Sequence, residues 1–252
     1  MHTKHYFTAI LIIATILFTS CSSSQYVIYS VASITPSDTI KTIPINVNMK
    51  MLTDNRANNE DFRMLFSANS RKAKNDNKVF CFNVEKYYKD IVSKEVTQML
   101  VKHFNKAKLF ANTSYNDDIG SNYYITGTLN CLYGMQEISE NVVVREKMKK
   151  EDIATIVAVG VIFGAIGAGI AGAELYKYKS PAKIVIEIAD LKLFRKDGIL
   201  IKDFGVFRKE YEGNFPANAN CKCIYENINT KLKEFNTELT EMIRTELLAV
   251  SF

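Results

Sequence analysis

Residues 183–211, KIVIEIADLKLFRKDGILIKDFGVFRKEY, carry the pattern from which the fold is read. Two strand-like runs, 183–194 and 199–211, flank Arg195-Lys196-Asp197-Gly198. Asp-Gly between apolar, β-branched runs signals a hairpin, because a tight turn needs positive φ, which Gly supplies and Asp tolerates. After the hairpin, residues 224–250 change period. Ile224, Ile228, Leu232, Phe235, Leu239 and Met242 make one helical face; Glu226, Lys233, Glu234, Glu241 and Arg244 line the other. So regular a stripe belongs against a sheet.

Upstream, residues 122–133 read as another strand, with Tyr123, Ile125, Leu129, Cys131 and Tyr133 on one face. A further strand is expected in 137–149 through Val142-Val143-Val144, ending in a basic cluster at 145–150. Residues 84–104 predict a helix. Tyr88, Val92, Val96, Met99 and His103 share a face, opposite Asp90, Lys94 and Thr97,. His103 is then a packed histidine, or one facing the helix dipole, rather than a functional one. At 42–52, Ile43, Ile45, Val47, Met49 and Met51 alternate with Pro44, Asn46, Asn48 and Lys50, which predicts a strand of a sheet covered on one side,. Residues 53–78 read as a polar loop, 112–120 as a polar turn and 26–34 as an edge strand. Together these elements predict an α+β fold: a mixed or antiparallel sheet with two long amphipathic helices on one face.

One segment stands apart. Residues 153–173, IATIVAVGVIFGAIGAGIAGA, hold no charge, and as a helix would span roughly 30 Å, about one hydrocarbon core,. Gly160, Gly164, Ala168 and Gly172 recur every four residues, a spacing that lets backbones approach closely against a membrane or a sister subunit,. The reading is a glycine-rich apolar helical insert within the domain. A single crossing would place the strands on either side of it across the membrane from each other, so it turns back, lies on the membrane or is buried. The run 167–172 also fits GxGxxG, with Glu187 downstream,. The helix that would follow is short before Pro181, and the antiparallel hairpin beyond it is not a βαβ unit. No cofactor is expected.

Composition narrows function. The 252 residues carry a net charge of +5, and acidic and basic residues are interleaved, so no nucleic-acid footprint appears,. His2 and His5 lie in the leader described below, leaving His103 alone; histidine triads, two-histidine metal sites and histidine acid–base pairs have no material,. The chain does not read as an enzyme. Four cysteines follow Cys21. One disulfide from Cys81 or Cys131 to the Cys221/Cys223 pair, a four-thiolate zinc site without the usual twin short-spaced pairs, and buried free thiols are the open readings,. No metal site is expected.

Residues 1–21, MHTKHYFTAILIIATILFTSC, have a positive start at Lys4, an apolar core at 9–18 and two small residues before Cys21. That is the layout of a secretory signal, too short in its apolar run for a spanning helix. Phe18-Thr19-Ser20-Cys21 resembles the lipobox of bacterial lipoproteins, with Phe18 in place of the usual Leu. The resemblance implies cleavage before Cys21 and acylation of its new N-terminus, with residues 1–20 removed, 21–40 a lipid tether and linker, and 41–252 a periplasmic domain interrupted by 153–173. Ser22 after the cysteine implies sorting to the outer membrane. The glycine spacing at 160–172 resembles the glycine-zipper segments of several outer-membrane lipoproteins.

Ile45–Met51 running into Asp54-Asn55-Arg56, Leu109-Phe110, and Tyr123-Tyr124-Ile125-Thr126-Gly127-Thr128-Leu129 resemble bacterial periplasmic lipoproteins. That class includes the auxiliary lipoproteins of ABC-type lipid transporters and, more distantly, the curli-secretion lipoprotein. The resemblance implies a small domain that acts through protein contacts, with Asp54 and Arg56 fixing a corner by a salt bridge. It implies a lipid-anchored, periplasm-facing accessory or assembly subunit of an envelope transport or secretion system, partnered by an envelope protein or by its own copies. The alternatives are an oligomeric channel-forming lipoprotein using the insert, and a lipid carrier lined by it.

Overall fold

A computed structural model of the chain describes residues 27, 29–33, 41–61, 63, 72–75, 78–84, 89–116, 120–138, 144–147, 176–217 and 221–250. In chain order these give β1 (Ile43–Met49), β2 (Thr53–Asp54), a 3-10 turn (Arg56–Asn58), β3 (Lys72–Asn75), β4 (Lys78–Val84) and α1 (Lys89–Lys106). Then follow β5 (Phe110–Tyr115), β6 (Tyr123–Glu137), β7 (Val144–Lys147), β8 (Tyr176–Arg195), β9 (Leu200–Pro216) and α2 (Lys222–Leu247).

The α+β expectation is overturned. All nine strands join one mixed sheet, and among the described residues only two long helices accompany it, of which α2 alone follows the sheet; the fold is predominantly β. Physically, the apolar runs that predicted strands are only the centres of longer ones. β8 reaches 20 residues and β9 reaches 17, because polar residues continue a strand wherever one face is wet,. Polar stretches read as loop and turn also pair: Lys72–Asn75 with β4, and Asn112–Tyr115 of β5 with β1. Where a helix was expected from residue 84, Val84 still pairs with Tyr133, and α1 starts at Lys89. Where an edge strand was expected at 26–34, the described residues, 27 and 29–33, have no regular structure. The apolar insert, 153–173, lies outside the described residues.

β6 is the centre of the sheet. Along one edge it pairs with β1 and β2, both parallel, and with antiparallel β4; along the other it pairs with antiparallel β8. β9 then pairs antiparallel with β8, turning through Lys196–Gly198 as the Asp-Gly signal requires. Alternation decides which face is covered. Ile184, Ile186 and Ile188 of β8 are buried in one cluster with Ile224, Ile228, Leu232, Phe235 and Leu239 of α2. Burying each such side chain contributes about 1.5–3 kcal/mol.

Two glycines permit this packing. A Cβ on Gly134 would lie 2.9 Å from Ile228 Cδ1, so α2 sits directly on β6; one on Gly127 would lie 2.9 Å from Leu52 Cδ2. Leu52 falls in the break between β1 and β2, and its N–H donates to Thr97 Oγ1 of α1 at 3.0 Å. Thr97, read as solvent-facing, is therefore buried, and Met51, read as core, is exposed.

Candidate functional site

The face of the sheet turned away from α2 carries the charge. On β8 it presents Lys183, Val185 and Glu187; directly opposite on β9 stand Glu212, Glu210 and Arg208. On β6 it presents Met135, Tyr133 and Cys131, partnered with those same β8 residues. A bulge between Leu129 and Cys131 adds one residue, Asn130, which turns toward Glu187,.

A buried corner delivers the remaining groups. Arg56 Nη2 meets Asp54 Oδ2 at 2.8 Å with both side chains almost fully buried, and the Arg56 N–H donates to Asp54 Oδ1 at 3.1 Å. This salt bridge turns the chain after β2, where the Asn55 N–H donates to the Leu129 carbonyl at 3.0 Å, and brings Asn55 and Asp61 over the sheet.

The result is a clamp around Arg208. Its Nη1 donates to Glu187 Oε2 at 2.7 Å and contacts Cys131 Sγ at 3.5 Å. Its Nη2 reaches Glu210 Oε1 at 2.5 Å and Asp61 Oδ2 at 3.4 Å. Asn130 Nδ2 donates to Glu187 Oε1 at 2.9 Å and Asn55 Nδ2 to Asn130 Oδ1 at 3.0 Å, while the Tyr133 hydroxyl donates to Asp61 Oδ2 at 3.0 Å. Lys183 Nζ extends the ladder to Glu210 at 2.6 Å and Glu212 at 3.3 Å. Beyond it opens a groove of about 450 Å³ lined by Phe80, Met135, Glu137, Pro181, Lys183 and Glu212.

Burial first, and then Glu187, push the Cys131 thiol up to about 11, so it stays protonated at neutral pH,. Burial and the Asp61 hydrogen bond raise the Tyr133 phenol as well. The Lys183 hydrogen bond, with Arg208 adding, holds Glu210 below the usual carboxylate range. Asp61, Glu187, Glu210 and Glu212 are engaged by two cations, Lys183 and Arg208. Among the described residues no group of three His, Cys, Asp or Glu is placed to hold a metal ion.

The residues singled out in the sequence are dispersed. Cys81 and Cys221 form a disulfide that ties β4 to the start of α2; Cys131 is the buried thiol of the clamp, and Cys223 is half-buried outside the bridge. Cys21, Gly160, Gly164, Ala168 and Gly172 lie outside the described residues. His103 is buried, as its helical face requires. Glu187, the acid of the GxGxxG reading, sits inside an antiparallel ladder and is engaged by Arg208. Arg208, Asp61 and Asn130 escaped sequence reasoning. The available signal was the alternation of Arg208, Glu210 and Glu212 along one strand face.

No protein-family model matches the chain, and no curated protein does. Among solved structures it is similar to a Xanthomonas campestris protein of the DUF330 family, at 11% identity and TM-score 0.43 over 86% of this chain and 94% of that one. It is also similar to a Helicobacter pylori homolog of a neuraminyllactose-binding hemagglutinin, at 8% identity and TM-score 0.36 over 86% and 90%. Both likenesses are too weak to carry an argument.

Proposed function

We propose that the protein is a lipid-anchored, non-enzymatic accessory or assembly subunit of an envelope transport or secretion system, held at the outer membrane and facing the periplasm. The observation that carries this reading is the leader ending at Cys21. Two or three acyl chains there, at about 0.8 kcal/mol per buried CH₂, make the attachment effectively permanent. The Cys81–Cys221 bridge supports an exported chain, since disulfides persist in oxidising compartments,. The clamp supports contact over chemistry: its thiol is protonated and its carboxylates are engaged by Arg208 and Lys183.

Topology supports a membrane-facing pole. Lys147 pairs directly with Tyr176, so the chain leaves β7 and re-enters β8 at one point. The same end holds Pro216, paired with Lys179, and the opposite end holds the 196–198 turn. This favours a second reading as well, an oligomeric channel-forming lipoprotein, because the uncharged residues 153–173 fall between those two strands. No helix among the described residues is long and apolar enough to cross a membrane.

Envelope fractionation of wild type beside Cys21→Ser tests the anchor. Wild type is expected with the outer membrane and Cys21→Ser in the soluble periplasm. Identical fractions for both chains overturn the reading.

A further inference from the structure

β9 pairs with β8 alone among the described residues, so no described strand covers the other edge of this 17-residue strand. The other described strands with a single neighbour, β2, β3, β5 and β7, have two, four, six and four residues. An edge as long as β9 is a template for another strand. The residues on it specify which strand fits.

A two-fold axis perpendicular to the sheet joins two β9 edges antiparallel while keeping the helices of both copies on the same side. Only registers that oppose like-facing residues are then open. Phe207, Lys209 and Tyr211 face α2: Phe207 packs against Phe235 with ring centroids 5.0 Å apart and Lys209 meets Glu238 at 2.5 Å. Arg208 and Glu210 face the other way, in the clamp. Centred on Lys209, the segment Phe207-Arg208-Lys209-Glu210-Tyr211 is its own complement. Arg208 falls opposite the second copy's Glu210, and Phe207 opposite its Tyr211, on both sides of the axis. Opposite-charge and aromatic cross-strand pairs both stabilise a ladder. The like charge at the axis is offset within each copy by Glu238. Farther out, Val206, the most exposed large apolar side chain among the described residues, gains a neighbour.

We infer that β9 is a homodimerisation edge: two copies of this chain pair antiparallel through Phe207–Tyr211, extending the sheet across a two-fold axis at Lys209. The inference is independent of the lipid anchor, since β9 carries the same complementarity whether or not Cys21 is acylated.

Cysteine trapping tests it. Directly opposed residues have Cα atoms about 4.5–5.5 Å apart, inside the roughly 4.4–6.8 Å that a disulfide spans. Lys209→Cys, made in full-length wild-type and Cys21→Ser chains that also carry Cys223→Ser, is expected to give a reducible covalent dimer as its major oxidation product in both. Asn214→Cys, exposed on the same strand but opposite Phe204 in this register, is expected to stay monomeric. Sedimentation of the unaltered chain is expected to give a dimer, and Glu210→Arg a shift to monomer. A monomer in sedimentation with no Lys209→Cys dimer, or equal trapping at 209 and 214, overturns the inference. Both results hold whether the anchor reading stands or falls.

Discussion

His103 shows what burying a titratable group costs. It lies fully within the core, its Nδ1 has no hydrogen-bond partner, and burial, with Lys106 adding, lowers it from 6.5 to about 4. The folded state therefore binds the proton more weakly than the unfolded state. Stability is complete above about pH 6.5 and falls as pH drops toward 4, where the loss reaches about 3 kcal/mol and levels off,. Urea unfolding at stepped pH is expected to show that slope, and His103→Leu to remove it; an unchanged slope in the variant contradicts the assignment. Arg208 makes the opposite case, a cation whose removal strands its partners. Arg208→Met leaves Glu187 buried without its counter-charge, at an expected cost of about 2 kcal/mol. That is less than for a fully enclosed pair, because a third of the Arg208 side chain is exposed,. The unfolding midpoint measures it, and no change in midpoint would reduce the clamp to a solvated surface cluster.

Among elements, the readable ones were those whose chemistry is local. The β8–β9 turn announces itself through Asp197-Gly198, and β1 through the alternation of Ile43, Ile45 and Val47 with Pro44 and Asn46. β5 was hidden because Asn112, Thr113 and Ser114 resemble a turn, and only pairing with β1 makes them a strand. The extent of β8 was hidden likewise, since Tyr176–Lys179 extend it by pairing with β7 rather than by apolar content. The clamp was illegible for a related reason: Asp61 and Arg208 are 147 residues apart, and no short-range pattern joins them. The Cys81–Cys221 bridge closes a similarly long path, a separation of 140 residues between β4 and the residue that opens α2. Cross-linking so long a loop restricts the unfolded chain strongly. Cys81→Ser/Cys221→Ser is expected to lose about 3–5 kcal/mol in urea unfolding, and a midpoint equal to wild type would rule out a stabilising bridge.

For the whole molecule, the parts point in two directions. One pole gathers the ends of β7, β8 and β9 and the start of α2, and the other carries the 196–198 turn with exposed Ile199 and Leu200. Val27 is buried in the core, Ser30 bonds Asn229 of α2, and the carbonyl of Ala32 accepts from Lys106 near the far end of α1. Under the anchoring proposed above, the sheet face that carries the clamp and the β9 edge are left open to partners. Intact-mass spectrometry of the protein extracted from bacterial envelopes tests the premise. The expected chain begins at Cys21 and is heavier than its sequence by a diacylglyceryl group and an amide-linked acyl chain; a chain that retains residues 1–20, or one that begins at an unmodified Cys21, contradicts it.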